Sequence, residues 1–483
     1  MNTVQRIAKN SLVLLASNII SKILSFFYVM YIARYLGAEG FGILSFALAF
    51  TGIFGVFSDL GLSTLTVREV ARDKSLAGKY LGNITIIKIF LVIITFGLIA
   101  ITINLLDYPT QTIKVVYFLA LSVIFSSFSN IFNSIFQAYE KMEYQSIEQI
   151  LSSTLMLVGA LFSISQRFSV VGFASIYFMV SAISLGYSFV VCVWKFTKPK
   201  IEVDWSFWKP TIKEALPFAL TGIFVTIYFW VDSVMLSLMK GNEVVGWYNA
   251  AYKLIFILMV IPSIFVVSTF PVMSRHFKST KNLLKQEYEV AIKYLFVFAL
   301  FLFIYGLIFA DKIILIIYGN GYLPSIKALQ VLICVIPIIF LTPLLGNFLA
   351  SVDKQRVVTI VAGANAGLNV LLNALLIPKF SYIGASIATV LTEGLGWILM
   401  FSYISRHFFK IPAIENIIKP ICISILTAIF LYFLRQQLNW ILTGILGVLI
   451  YILLLYISHT ISESDIRLIK QSILGEKDNE KQG

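Results

Sequence analysis

Fourteen long apolar runs, each set off from the next by a short polar segment, constrain this chain more than any other feature. They fall at about 11–32, 43–66, 84–104, 113–137, 147–165, 171–194, 214–239, 247–270, 290–309, 326–350, 357–377, 382–403, 417–434 and 438–458. A helix of roughly 20 apolar residues crosses a hydrocarbon layer about 30 Å thick. The runs are continuous rather than alternating, which excludes a β-barrel. Hydrophobic residues make up 59% of the chain and charged residues 13%, too little charge to cover a water-soluble surface. The expected fold is therefore all-α and polytopic, with about fourteen transmembrane helices.

The formal charge of +13 does not point to nucleic acid, because the basic residues sit in the gaps between apolar runs. With the N-terminus inside, twenty-five Lys and Arg residues fall in inside segments. Six fall outside: Arg34, Arg167, Lys240, Lys312, Lys379 and Arg435. This asymmetry predicts that both termini are cytoplasmic and that the number of helices is even. Arg6 and Lys9 precede a first run too long for a signal-peptide core, which reads as a retained helix. The tail beyond Ser458 reads as a short helix and a disordered stub. The outside loops are no longer than about 16 residues, so an external catalytic domain has no room.

The chain also repeats itself. Residues 9–50 align without gaps on 213–254, an offset of 204, which places Gly37, Glu39, Gly42 and Ala47 on Gly241, Glu243, Gly246 and Ala251. One further inserted residue brings Ser63-Thr64 onto Ser268-Thr269. Each unit holds six helices, so the copies share one orientation, as in transporters whose halves are related by an axis along the membrane normal. The organisation predicted is an N-terminal lobe over 1–200, a C-terminal lobe over 201–410, two further helices over 411–460 and a cytoplasmic tail over 461–483. The substrate site is expected between the lobes.

Charges deep in a bilayer face protein or a hydrated cavity, so depth ranks the candidates. Lys22 lies roughly 16 Å along the first helix, near mid-membrane. It shares a polar face with Ser17, Asn18, Ser21 and Ser25. Helix packing explains the serines; the lysine faces either a hydrated cavity or a structural ion pair. Asp59, Asp232 and Glu393 are either ion-coupling carboxylates or anchors. Lys253 either serves the cavity or reaches toward the headgroups. Lys88, Lys114, Lys293 and Lys327 are expected near helix ends, with their ammonium groups reaching the interface. Two amide stripes, Asn130/Asn133/Gln137 and Asn365/Asn369/Asn373, suit either helix–helix bonding or sugar binding.

Cys192, Cys334 and Cys422 lie singly inside apolar runs, and His276, His407 and His459 lie in loops or at a helix end. Neither a metal site nor a disulfide framework is expected. Phosphate-loop, nucleophile-elbow and zinc-protease motifs are missing from the sequence. No cofactor is expected, and the chain is not expected to be an enzyme.

The segments Ala33-Arg34-Tyr35-Leu36-Gly37-Ala38-Glu39-Gly40-Phe41-Gly42, Asp59-Leu60-Gly61-Leu62 and Arg68-Glu69-Val70-Ala71-Arg72 resemble the N-terminus of Wzx-type oligosaccharide flippases. Asp232 and Gly246-Trp247-Tyr248-Asn249-Ala250-Ala251-Tyr252-Lys253-Leu254 resemble the start of their second lobe. Asn369, Asn373-Ala374-Leu375-Leu376-Ile377-Pro378, Gly384-Ala385-Ser386-Ile387-Ala388-Thr389 and Glu393 resemble their C-terminal region. Together these span about residues 5–400. The resemblance implies the fold of the multidrug/oligosaccharidyl-lipid/polysaccharide exporter superfamily, with two six-helix lobes around a central cavity and alternating access.

The implied substrate is a polyprenyl-pyrophosphate-linked oligosaccharide, moved from the inner to the outer leaflet of a prokaryotic plasma membrane. Polysaccharide-assembly proteins are the implied partners. The implied substrate contacts are Lys22, Asn18, Arg34, Lys253, Asn369 and Asn373, with a proton or sodium coupled through Asp59, Asp232 or Glu393. Lipid II flippases are arginine-rich on the second helix, whereas this chain has no basic residue between Ile43 and Thr66. The other readings are a multidrug antiporter of the same fold, a membrane glycan ligase or polymerase, and a receptor or scaffold. Lys22 opposes the first, the short outside loops oppose the second, and the deep charges beside a lobe repeat oppose the third.

Overall fold

A computed structural model describes residues 3–200, 203–265, 281–408 and 415–460, and every regular element among them is helical. His276, Ser268-Thr269 and the tail over 461–483 lie outside the described residues. Among the described residues, eleven helices are long and apolar enough to cross a membrane. Two of these each contain one non-helical residue, Gly37 in α1 (Thr3–Gly55) and Ser381 in α14 (Gln355–His407). Counting each as a pair of spans, and adding the apolar helix Ile418–Leu434, restores the fourteen expected.

The first lobe comprises α1, the short α2 (Leu62–Arg72), α3 (Ala77–Leu105), α4 (Thr110–Ala138), α5 (Met142–Ser165) and α6 (Val170–Lys195). The second comprises α7 (Trp205–Lys240), α8 (Asn242–Leu258), α9 (Lys281–Ile308), α10 (Ala310–Ile317), α11 (Ser325–Leu332), α12 (Ile336–Ile339), α13 (Thr342–Ser351) and α14. The segment α11–α13 forms one span, Ser325–Ser351, interrupted where Pro337 and Pro343 begin new turns. The last two helices, α15 (Glu415–Leu434) and α16 (Trp440–Ile457), pack on α9. There Tyr451 donates to the Val297 carbonyl (2.8 Å) and Tyr305 to that of Gly444 (2.7 Å).

The repeat is visible in the backbone. Gly37 has φ 68°, ψ −178°, and its aligned partner Gly241 has φ 90°, ψ 170°. That region is open essentially to glycine alone. It lets one helix end and the next begin without a loop, so the long turn expected over 33–42 contracts to one residue. The second aligned pair, Gly42 and Gly246, sits one turn further on, where α1 crosses α8. A Cβ on Gly42 would strike the carbonyl of Asn242, and one on Gly246 would strike that of Ala38. Ala38 and Asn242 are themselves related by the repeat offset, so the contact is reciprocal, as at a two-fold axis.

The second span departs from the sequence expectation of a continuous helix over 43–66. The long helix ends at Gly55, a 3₁₀ turn covers Val56–Ser58, and Leu60 (φ 46°) and Gly61 (φ 77°) are left-handed before α2 begins. Gly61 meets α7 at Ala215 and Ala219, where a Cβ would come within 2.7 Å of the Ala215 carbonyl oxygen. This brings the lobes together at the end of the bundle opposite Gly37. There Arg68 bridges Glu69 in its own lobe and Glu214 in the other.

At the Gly37 end the contacts between lobes are more deeply buried. Tyr322 donates to the Ala33 carbonyl (2.8 Å), and Tyr108 and Ser237 share a hydrogen bond of 2.8 Å. Three cations from the small outside set cap free carbonyls here. Arg34 donates to Ile316 and Ile317 at the end of α10, Lys240 to Pro378 beside the Ser381 break (2.8 Å), and Arg435 to Ile308.

Candidate functional site

Small polar side chains aim Lys22 into the space between the lobes. Ser17 and Ser21 are buried against α5, where they bond Gln149. Close packing of that serine face leaves the neighbouring face of α1, with Lys22 and Ser25, turned toward the second lobe. Opposite it, α7 and α8 supply Trp230, Lys253 and Phe256. These residues line one cavity of about 350 Å³. Lys22 and Lys253, far apart in sequence and on different helices, one in each lobe, are thus brought to one site.

The Lys22 ammonium lies over the Phe256 ring, 4.4 Å from its centroid, and the Lys253 ammonium lies 5.5 Å from that of Trp230. Neither forms an ion pair with a carboxylate among the described residues. A cation–π contact is worth about 0.5–2 kcal/mol, whereas a lysine at mid-membrane costs at least ~2.5 kcal/mol. Two such lysines in one cavity also repel each other. An anion in the cavity would offset both costs.

The other site residues predicted from sequence are placed differently. Asn18 does not line the cavity; its Oδ1 accepts from Gln149 Nε2 (2.7 Å), and Gln149 does line it. Arg34 is a carbonyl cap at the Gly37 end, away from the cavity. Asn369 and Asn373 are fully buried inside the second lobe, where the amide stripe ties helices together. Asn373 Nδ2 donates to Asp232 Oδ1 and to Asn369 Oδ1 (2.9 Å). The second oxygen of Asp232 accepts from Tyr248 (2.7 Å) and Thr389 (3.0 Å). Asp232 therefore centres a buried cluster of carboxylate, amide and hydroxyl groups from α7, α8 and both halves of α14. Among the described residues, Asn373 Oδ1 is left without a partner. Glu393 accepts from Tyr228.

Asp59 pairs with Lys88 (2.6 Å), and this corrects the sequence expectation for that lysine. Lys88 does not reach the interface. The third helix begins at Ala77 rather than near 84, so Lys88 lies three turns inside it and is fully buried. Its ammonium also donates to the Ser127 carbonyl (2.7 Å), and Ser63 bonds Asp59 from the turn after Gly61. Lys88 holds the broken second span to α3 and α4.

The cleft continues past the cavity. Trp230 also borders a hollow that exposes Asp59 and Asn130, and Asn130 in turn borders a third hollow beside Arg68. Trp230 and Phe256 carried no signal in the sequence, where an aromatic residue inside an apolar run is unexceptional. Lys88 could have been found from its distance to Lys74 and Lys79, which mark the true start of the helix.

Comparison with known proteins completes the site's context. The polysaccharide biosynthesis protein family matches residues 7–277, and the MatE family matches 217–375. A probable low-salt glycan biosynthesis flippase, Agl15 of Haloferax volcanii, is 23% identical over 83% of this chain and 84% of its own. A putative O-antigen transporter of Shigella flexneri is 22% identical over 74% of this chain and 88% of its own. Among solved structures, the lipid II flippase MurJ in an inward closed conformation superposes with a TM-score of 0.77 at 18% identity, covering 92% of this chain and 98% of that one. The first family match spans more than half of the sequence: this chain belongs to the polysaccharide biosynthesis protein family.

Proposed function

We propose that this chain is a flippase that carries a polyprenyl-pyrophosphate-linked oligosaccharide from the inner to the outer leaflet by alternating access. The observation that carries the reading is the pair Lys22 and Lys253, one from each lobe, in a single cavity without a carboxylate partner. A pyrophosphate offers two to three negative charges to two ammonium groups, each with three donors. The polar headgroup crosses in the cavity while the prenyl tail stays in lipid. The names of the two relatives, a glycan biosynthesis flippase and an O-antigen transporter, agree with a glycan cargo. A cationic drug would meet repulsion in this cavity, which disfavours the antiporter.

With the N-terminus inside, the Gly37 end is the outer one, and the buried contacts there close the cavity toward the outside. The Arg68–Glu214 bridge crosses the inner end, where solvent screening makes such pairs weak. Binding at both lysines draws the lobes together, and release at the outer face follows when the Gly42–Gly246 crossing opens. A ligand shifts such an equilibrium only through different affinity for the two states. The Asp232 cluster is suited to a proton or a hard monovalent cation that supplies the remaining bias.

The test is transport by the full chain in liposomes, with fluorescent undecaprenyl-pyrophosphate-linked N-acetylglucosamine in the inner leaflet. Its appearance in the outer leaflet, faster than in liposomes carrying Lys22→Ala, is expected. Equal rates from the two proteins would refute the reading.

A further inference from the structure

The two amide stripes of the sequence meet different fates. Asn369 and Asn373 are closed into the Asp232 cluster. The stripe on α4 is not closed. Asn130, Asn133 and Gln137 line a hollow of about 400 Å³ together with Gln145 from α5. Asn130 is exposed into it, and its side chain makes no hydrogen bond among the described residues. Asn133 is 7% exposed; its side chain bonds Glu148 of α5, and its Oδ1 is buried without a partner among the described residues. Gln137 Nε2 donates to Gln145 Oε1 (3.1 Å), which leaves an acceptor on one amide and a donor on the other. The stripe of the second lobe is enclosed by protein, whereas this one bonds α5 in part and turns its remaining donors and acceptors to the hollow.

Charge distinguishes this hollow from the lysine cavity. Its one cation, Arg68, is already bridged to Glu69 and Glu214, so an anion gains little here. The remaining groups are amides, which both donate and accept, beside the hydroxyls of Ser63 and Thr64. That pattern matches a ligand whose groups also both donate and accept and which bears no charge. Sugar hydroxyl and acetamido groups fit it. Phe218, from the second lobe, supplies an apolar wall of the kind a pyranose ring face packs against. The volume falls within the about 300–1,000 Å³ of small-molecule sites.

We propose that this amide-lined hollow is the glycan subsite of the transporter, holding uncharged sugar residues while the pyrophosphate occupies the lysine cavity. The inference rests on the flippase reading for its pyrophosphate half alone. Continuity supports it: the hollow containing Asp59 shares Trp230 with the lysine cavity and Asn130 with the amide hollow. A headgroup anchored at Lys22 and Lys253 therefore has a polar track along which its sugars extend.

The test uses the full chain with Cys192→Ala, Cys334→Ser and Cys422→Ser, and one added cysteine at Asn130→Cys or Ser25→Cys, labelled by a maleimide. The probes are free triacetylchitotriose, bare undecaprenyl pyrophosphate, and undecaprenyl pyrophosphate carrying the same trisaccharide. Both sugar-bearing probes are expected to slow labelling at position 130 at least about fivefold, and the bare carrier to leave it unchanged. Failure of both sugars to protect position 130, or equal protection by the bare carrier, overturns the subsite.

Position 25 separates this inference from the flippase reading. Bare carrier that fails to protect position 25 counts against the pyrophosphate cavity, while sugar protection at position 130 would still uphold the subsite. As a second measurement, Asn130→Leu at unchanged melting temperature should weaken the trisaccharide carrier about threefold to tenfold, the value of one or two hydrogen bonds. It should leave the bare carrier's affinity as it was; an equal loss for both carriers would overturn the subsite.

Discussion

Gly42 and Gly246 back onto each other across the two lobes, each leaving no room for a Cβ against the other helix: Gly42 faces the Asn242 carbonyl and Gly246 faces that of Ala38. The backbone nitrogen of Gly246 lies 3.0 Å from where a Cβ of Gly42 would stand. Small residues of this kind let membrane helices approach to backbone contact. The crossing seals one end of the cavity and must part if the cavity is to open there.

The first prediction follows from that crossing. Gly42→Ala or Gly246→Ala forces the helices apart in the closed state, and overpacking of this kind costs about 1–3 kcal/mol. Each variant should lower the melting temperature in detergent and shift the population toward the state open at the Gly37 end. Labelling of a cysteine at Ser45, which borders the cleft beyond the crossing, would report the shift. Gly97→Ala, with nothing within 4 Å of the added Cβ, is the control and should leave both readouts unchanged. Indifference of both readouts to Gly42→Ala would remove the crossing from the gating argument.

The Asp59–Lys88 pair supports a second prediction. Lys88 is fully buried and Asp59 is 28% exposed at its side chain, so removing one partner leaves the other charge poorly solvated. Breaking a buried pair costs about 3–5 kcal/mol. The partial exposure of Asp59 places Lys88→Met at the lower end of that range, and the yield of folded protein should fall with it. The double variant Asp59→Asn, Lys88→Met should recover part of the loss, because no lone charge remains. Additive losses in a double-mutant cycle of melting temperatures would show that the two residues do not act as a pair.

Much of this architecture was legible in the chain because the bilayer leaves few choices. Apolar length dictates helices, and the aligned glycines at positions 37, 42, 241 and 246 marked both the tight turns and the crossing. Lys22 stood out because a charge at mid-membrane demands a reason. Asn369 and Asn373 lie inside the Asp232 cluster and Arg34 in a carbonyl cap, apart from the lysine cavity where the sequence reading grouped them. Burial and capping depend on which neighbour a helix face meets, and helical periodicity gives the face without the neighbour. The break at Gly55–Gly61 was hidden for a similar reason. Its apolar letters continue through the turn, where left-handed Leu60 precedes Gly61 and Gly61 packs on α7.

The Asp232 cluster yields a third prediction, about coupling. Its oxygens come from α7 and α14, and Tyr248 ties in α8, so filling or emptying the cluster with a cation or proton alters how three elements of the second lobe pack. Asp232→Asn keeps the shape and removes the charge. Flux driven by an imposed sodium or proton gradient should then fall to the rate seen without a gradient, with substrate affinity within about twofold of the parent, since the cluster lies outside the lysine cavity. Gradient stimulation that survives in Asp232→Asn, and again in Asp59→Asn and Glu393→Asn, would mean that ions couple elsewhere or not at all.

The last prediction concerns Lys22. Its ammonium rests on Phe256 rather than on a carboxylate, so the protein itself gains little from the charge. If the charge serves a pyrophosphate, Lys22→Ala should fold, insert and keep its melting temperature, because an uncompensated cation has been removed. A hydrogen bond to a charged group is worth about 1.5–3 kcal/mol, so affinity for undecaprenyl pyrophosphate should fall about 10-fold to 100-fold. Flux of the linked oligosaccharide should fall with it. Lys22→Arg should keep a measurable part of both, since charge matters more than shape to a pyrophosphate in a hydrated cavity. Lys253→Ala should reproduce the loss from the other lobe. A packing role predicts the opposite pattern for Lys22→Ala, with a lower melting temperature and yield but undiminished flux per folded molecule. Liposome flux normalised to folded protein distinguishes the two, and parental flux from a well-folded Lys22→Ala chain would leave the cavity without its anion.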